Sequence, residues 1–134
     1  MTVLLVDVAN VVGSRPVGWW RDRAGATGRL LARLAALVGR TLPGPDGAPV
    51  RCEAVVAVVE GRARDVPAVD PVRLVRAPGS GDDALASEAA ALAAGGHVVL
   101  VVTADRGLRA RLPAGVDVAG PGWLLARLDE VAAG

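Results

Sequence analysis

The sequence predicts an α/β domain in which a mostly parallel sheet lies between two helical layers. Three observations carry this. Val3–Val6, Ala54–Val59 and Val98–Val102 are continuous aliphatic runs with no polar alternation, the pattern of strands buried on both faces. Segments rich in Ala, Leu and Arg with helical spacing fall between these runs. Gly- and Pro-rich turns separate strand from helix. Regular strand–helix alternation implies parallel pairing with right-handed crossovers.

The first strand runs from Val3 to Asp7, and its carboxylate stands where the strand should end. Val11 to Arg23 reads as a thirteen-residue loop, long enough to suggest function. It holds Trp19 and Trp20 beside Arg15, Arg21 and Arg23. Such a set can stack a base and hold phosphates, or the indoles can plug the edge of the core. Gly25 to Arg40 reads as a helix through Leu30, Leu31, Leu34, Leu37 and Val38. Leu42 to Pro49, with its prolines and glycines, reads as a surface loop.

Glu53 to Glu60 is the second expected strand, and it too ends in a carboxylate. A short third strand, Val72 to Arg76, leads to a Gly-rich turn at Ala77–Gly81. Asp82 and Asp83 then open a helix that runs to Ala94. One of them suffices as a cap, since Asp is a favoured N-cap and complements the helix dipole. His97 to Val102 is the fourth strand, followed by Asp105 at the start of a short helix through Leu112. Val116 to Ala119 is the fifth strand, and Trp123 to Val131 the last helix.

Length and composition narrow the function. A chain of 134 residues fits one domain spanning 1–134. Only three Trp, and no Phe or Tyr, are present, so Val, Leu and Ala must form the core. Every cation is Arg, and the net charge of +1 provides no global field for nucleic acid. Any such contact needs a local Arg patch. With a single Cys52 and a single His97, no disulfide framework, zinc finger or Cys–His pair can form within the chain. No basic segment precedes the apolar start and no run is long enough to span a bilayer. The expected compartment is therefore the cytoplasm, without membrane contact.

The acids then become the candidate chemistry. Asp7, Glu60, Asp82 or Asp83, and Asp105 all fall at the carboxyl edge of the expected sheet, where ligands of open α/β sheets bind. Carboxylates gathered in one crevice cannot all stay ionised without a cation. Mg²⁺ or Mn²⁺ suits oxygen donors, and such a metal activates water and neutralises a phosphoryl group.

Asp7-Val8-Ala9-Asn10 resembles the first motif of the NYN domains, a branch of the PIN-like nuclease superfamily. Thr103-Ala104-Asp105-Arg106-Gly107-Leu108 resembles their later Thr/Ser-x-Asp motif, and Gly81-Asp82-Asp83 lies where the family carries a middle acid. The resemblance spans roughly Val3 to Val118. It implies a three-layer α/β/α sandwich with parallel strand order 3-2-1-4-5 and Mg²⁺- or Mn²⁺-dependent cleavage of RNA. Asp7, Asp82 or Asp83, and Asp105 would hold the metal, and Asn10 would orient Asp7 or a phosphate. The chain departs from relatives that carry a Glu one turn into the middle helix. The corresponding positions are Ala86 and Ser87, and Glu88 is off that face, leaving Asp83 or Glu60 to compensate.

The leading expectation is a metal-dependent ribonuclease acting on single-stranded RNA, with Arg15, Arg21, Arg23, Arg106 and Arg109 holding phosphates beside the acids. Two alternatives stand beside it. One is a nucleotide pyrophosphohydrolase on the same acids; no P-loop is present. The other is a degenerate domain that binds RNA or protein. The oligomeric state stays open, a homodimer included.

Overall fold

The computed structural model describes residues 1–14 and 22–134. The elements are β1 (Thr2–Asp7), α1 (Val8–Gly13), α2 (Arg23–Ala35), β2 (Thr41–Pro43), β3 (Pro49–Val59), a 3₁₀ turn at Gly61–Ala63, β4 (Arg73–Arg76), α3 (Gly81–Ala94), β5 (Val98–Val102), α4 (Arg106–Ala110), β6 (Asp117–Ala119) and α5 (Pro121–Ala133).

The parallel strands run in the order β4-β3-β1-β5-β6. This is the expected 3-2-1-4-5 order of a sandwich. β1 lies at the centre, with Leu5 level with Val56 on β3 and Val101 on β5. Strand side chains alternate between faces, so each central strand supplies two cores. Leu4, Val6, Val55, Ala57, Leu100 and Val102 meet α2 and α5 through Leu31, Leu34, Leu124 and Leu128. Val3, Leu5, Val56, Val58, Val99 and Val101 meet α3 and α4 through Leu85, Ala89 and Leu108. Two cores explain the unbroken apolar runs, since both faces of the central strands are covered and only Val98, at the start of β5, is exposed.

Two readings of the sequence are corrected. The stretch read as a loop from Val11 begins as the helix α1, with Val8 and Val11 buried. Asp7 caps it, its carboxylate accepting the Asn10 amide. The later part of that stretch, including Arg15, Trp19, Trp20 and Arg21, lies outside the described residues. The stretch read as a loop at Leu42–Pro49 is instead an antiparallel hairpin, with Thr41–Pro43 paired to Pro49–Arg51. Pro43 and Pro49 stand at the strand ends, where a missing N–H costs no ladder bond, and Pro45 lies in the turn. Gly47 (φ +89°) takes the left-handed turn position. The Trp123 indole N–H donates to the Pro43 carbonyl at 3.1 Å, fastening the hairpin to α5.

Cys52 is fully buried on β3. Burial pushes its thiol up to about 11, which makes it an inert core residue.

Helix α3 carries Asp82 into the carboxyl edge and is seated by Leu85, which is fully buried. Leu85→Ala should cost about 2–5 kcal/mol of folding free energy, as for other buried Leu truncations. Urea denaturation of wild type and variant measures it; a loss below half of that range would show that α3 is not held by this contact.

Candidate active site

The sheet register brings the first and last acidic motifs side by side. Val6 is level with Val102, so the next residues, Asp7 and Thr103, stand together at the carboxyl edge. Strand order reverses here, between β1 and β5, and the helices leave on opposite faces. Asp7 is 6% exposed and Thr103 is fully buried. The Thr103 hydroxyl donates to Asp7 Oδ2 at 2.9 Å and accepts the Asp105 amide at 3.1 Å. Asn10 Oδ1 accepts the Ala104 amide at 2.8 Å. Two short segments far apart in sequence are thus tied at two points. Asp105 itself caps α4, with Oδ1 accepting the Leu108 amide at 3.0 Å.

The middle acids are positioned from the other side. The N-cap of α3 is Ser80, whose hydroxyl accepts the Asp82 amide, so neither Asp82 nor Asp83 is the cap. Both acids sit in the first turn, and they diverge. Asp82 is half-buried, its carboxylate accepts no hydrogen bond from any described residue, and it feels the charges of Asp105, Glu60 and Asp7. Asp83 points out, with its side chain 79% exposed and paired to Arg111 at 2.7 Å. The expected placement of Asp83 among the gathered acids is therefore corrected: the ion pair across α3 and α4 draws it away.

Glu60 occupies the place beside Asp82. Its Oε2 accepts the Gly81 amide at 2.6 Å, and its charge acts on both Asp7 and Asp82. A Cβ at Gly81 would stand 3.1–3.3 Å from the Glu60 carboxyl group, so the close approach depends on the glycine. Glu88, in contrast, pairs with Arg73 at 2.7 Å, away from the site.

The electrostatics follow from burial and crowding. Burial raises Asp7's carboxyl above the ordinary 3.8; the Thr103 hydroxyl and the Asn10 amide pull it back, and Asp82 and Glu60 push it up again. Asp82 is also raised, first by desolvation and then by Asp105 and Glu60, with Arg111 opposing. The donors are hard carboxylate oxygens, as Mg²⁺ or Mn²⁺ prefers. Among the described residues, however, no three Asp, Glu, His or Cys side chains stand close enough to chelate one ion directly. A cation held here would have to meet some of these carboxylates through water.

The expected phosphate-binding arginines scatter. Arg23 lines a cleft of about 450 Å³ together with Glu60, Val8 and Thr27. Arg109 donates to the Thr103 carbonyl at 3.3 Å, bracing the end of β5. Arg106 is exposed at the start of α4. Arg15 and Arg21 fall outside the described residues. A second cleft, of about 560 Å³, opens on the other side of α1 between Asn10, Ala104, Pro121 and Gly122.

A comparison of this architecture with solved structures places it. The fold is that of Rae1 (YacP) from Bacillus subtilis. That crystal structure superposes with a TM-score of 0.70 over 99% of this chain and 78% of the other, at 19% sequence identity. No family model matches the sequence, and no curated protein does. Among the described residues no helix is long and apolar enough to cross a membrane.

Sequence reasoning passed over Thr103 as a site residue and left Glu60 as a substitute. The signal for Thr103 was its place: a hydroxyl directly after an apolar strand and two residues before an acid.

Two outcomes follow from this geometry. Thr103→Val would strip the donor from a buried carboxylate oxygen and should cost about 1–3 kcal/mol, measured by denaturation; a neutral effect would mean that Asp7 is satisfied without Thr103. The second concerns Asp82. Its folded pKa is raised, so its protonated form favours folding, a contribution present below the unfolded pKa and lost as pH rises through the folded one. At neutral pH in chelator, Asp82→Asn should therefore melt above wild type, and the gap should close as pH falls toward 3.8. A variant melting below wild type at neutral pH would show that the carboxylate stabilises the helix start more than its neighbours repel it.

Proposed function

We propose that this protein is a divalent-metal-dependent nuclease of the NYN/PIN-like kind, cleaving single-stranded RNA. The observation that carries this reading is the gathering of Asp7, Glu60, Asp82 and Asp105 at the strand-order reversal, with the pKa values of Asp7 and Asp82 raised by burial and by neighbouring acids. An arrangement that works against its own ionisation is expected where charge is matched by a ligand. The motif resemblance at Asp7–Asn10 and Thr103–Leu108 and the shared fold support the same reading.

Asp7, Asp82 and Asp105 would hold Mg²⁺ or Mn²⁺, directly or through water, with Glu60 beside them in the place of the missing Glu on α3. When bound, such a metal lowers the pKa of a water and neutralises charge on the phosphoryl group. The chain's own residues do the positioning. Thr103 fixes the rotamer of Asp7 and aligns the start of α4, which carries Asp105. Asn10 holds the Ala104 amide and keeps α1 against the β5 end. Asp82, free of hydrogen bonds from described residues, is the carboxylate best able to accept a proton from an attacking water. Arg23 and Arg106 border the acids and would hold flanking phosphates, as guanidinium does well. Arg111, through Asp83, moderates the negative field at Asp82.

Hydrolysis of labelled single-stranded RNA, duplex RNA and nucleoside triphosphates, each titrated with Mg²⁺, Mn²⁺ and chelator, tests the proposal. Single-stranded RNA should be cut in a metal-dependent way. Asp7→Asn should abolish the cut, and Thr103→Val should lower it by about 10–100-fold, the usual cost of losing a group that orients a metal ligand. Hydrolysis confined to triphosphates would move the function to a nucleotide pyrophosphohydrolase. Absence of all hydrolysis with RNA binding retained would make the domain a binding module.

A further inference from the structure

We propose that the cleft of about 450 Å³ between α1, α2 and the Gly61–Ala63 turn seats a nucleobase of the RNA strand, the one next to the scissile phosphate, and that Thr27 and Glu60 read its hydrogen-bonding edge. The inference rests on the nuclease reading for the identity of the strand, and it adds the subsite and its selectivity.

Four features of the cleft converge on a base. Val8, Val12 and Ala63 give it apolar walls, as the flat face of a base requires. The volume falls within the range of about 300–1,000 Å³ typical of small-molecule sites. Thr27 is only 2% exposed, yet lines the cleft, and no described residue is hydrogen-bonded to its hydroxyl. No buried side-chain polar atom among the described residues is both sealed off and unpaired, so that hydroxyl is not fully sealed, and its residue lines the cleft. Glu60 supplies the fourth feature. Its Oε2 is held by the Gly81 amide, while Oε1 accepts no hydrogen bond from the described residues. Glu60 is also one of the gathered acids, so the same side chain forms the wall of the cleft and the rim of the reaction centre. A nucleotide carries both an apolar ring for the cleft and a phosphoryl group for the acids that Glu60 adjoins.

The exposed acceptor sets the preference. A carboxylate oxygen takes N–H donors, and the amino groups of adenine, cytosine and guanine offer them. Uracil flanks its one ring N–H with two carbonyls, which would face the carboxylate unfavourably. The subsite should therefore favour amino-bearing bases over uracil.

Binding in Ca²⁺, followed by fluorescence anisotropy, separates the subsite from the chemistry. The probes are labelled RNA trinucleotides that are abasic except for a central adenine, cytosine, guanine or uracil, together with a fully abasic strand. The wild type should bind the amino-bearing probes about tenfold more tightly than the abasic strand, with uracil between. A Cβ at Gly79 would meet nothing within 4 Å, and this residue lines the cleft on an exposed turn. Gly79→Leu should fill the cleft, leave the fold intact by circular dichroism, and remove the advantage of a base while abasic binding persists. Thr27→Val should narrow the margin between amino-bearing bases and uracil. Equal affinity of the wild type for base-bearing and abasic strands overturns the subsite, as does an undiminished advantage in Gly79→Leu. The two readings fail separately. A protein that cuts RNA but ignores the base keeps the nuclease and loses the pocket. One that prefers the base but cuts nothing keeps the pocket and loses the nuclease.

Discussion

The site depends on one hydroxyl. Thr103 Oγ1 donates a hydrogen bond to Asp7 and accepts one from the amide of Asp105, so a single buried atom fixes the end of β1 and the start of α4 together. Both partners are charged or polar groups withdrawn from water, where an unmade hydrogen bond is costly. Directional satisfaction on this scale leaves little freedom for the two segments to separate. The second tie, from Asn10 to the Ala104 amide, lies on the neighbouring turn and prevents rotation about the first.

Such a joint is possible because the sheet is parallel. Parallel strands all end on the same edge, and a doubly covered sheet cannot place polar groups along its length without burying them. The polar residues of β1, β3 and β5 are therefore displaced to the strand ends, and those ends are neighbours in space. Gathering acids is then a by-product of the architecture. The acids are paired unevenly: Asp105 caps a helix, Glu60 holds an amide, Asp83 leaves with Arg111, and Asp82 is crowded by like charges that Arg111 only partly opposes.

The strands were legible because burial on two faces writes itself as an uninterrupted aliphatic run; the order of the parallel strands was the one the motif resemblance implied. That Asp7 and Asp105 follow neighbouring strands was legible for the same reason, as both come after such runs. Three features were not. Helix α1 is too short to show a period, and its start is encoded only by the Asp7 cap. The hairpin before β3 was hidden by Pro43, Pro49 and Gly47, residues that signal a loop by composition and here mark strand ends and a turn. The separation of Asp82 from Asp83 is a tertiary outcome, set by Arg111 on another helix, and adjacent residues in a sequence carry no sign of it.

The missing side chain at Gly81 has a wider consequence. Its hydrogen is the gauge that sets how near β3's terminal acid comes to the start of α3. Any larger residue would press on the Glu60 carboxyl group, and that group would have to swing toward the cleft or lose its hold on the helix. Enlarging the cleft's acidic wall, shifting the field at Asp82 and loosening α3 would then arrive together through one substitution. Variation at this position can therefore reshape the cleft wall and shift the charge balance without any change among the acids themselves. A residue that carries no functional group thus sets the spacing of the groups around it.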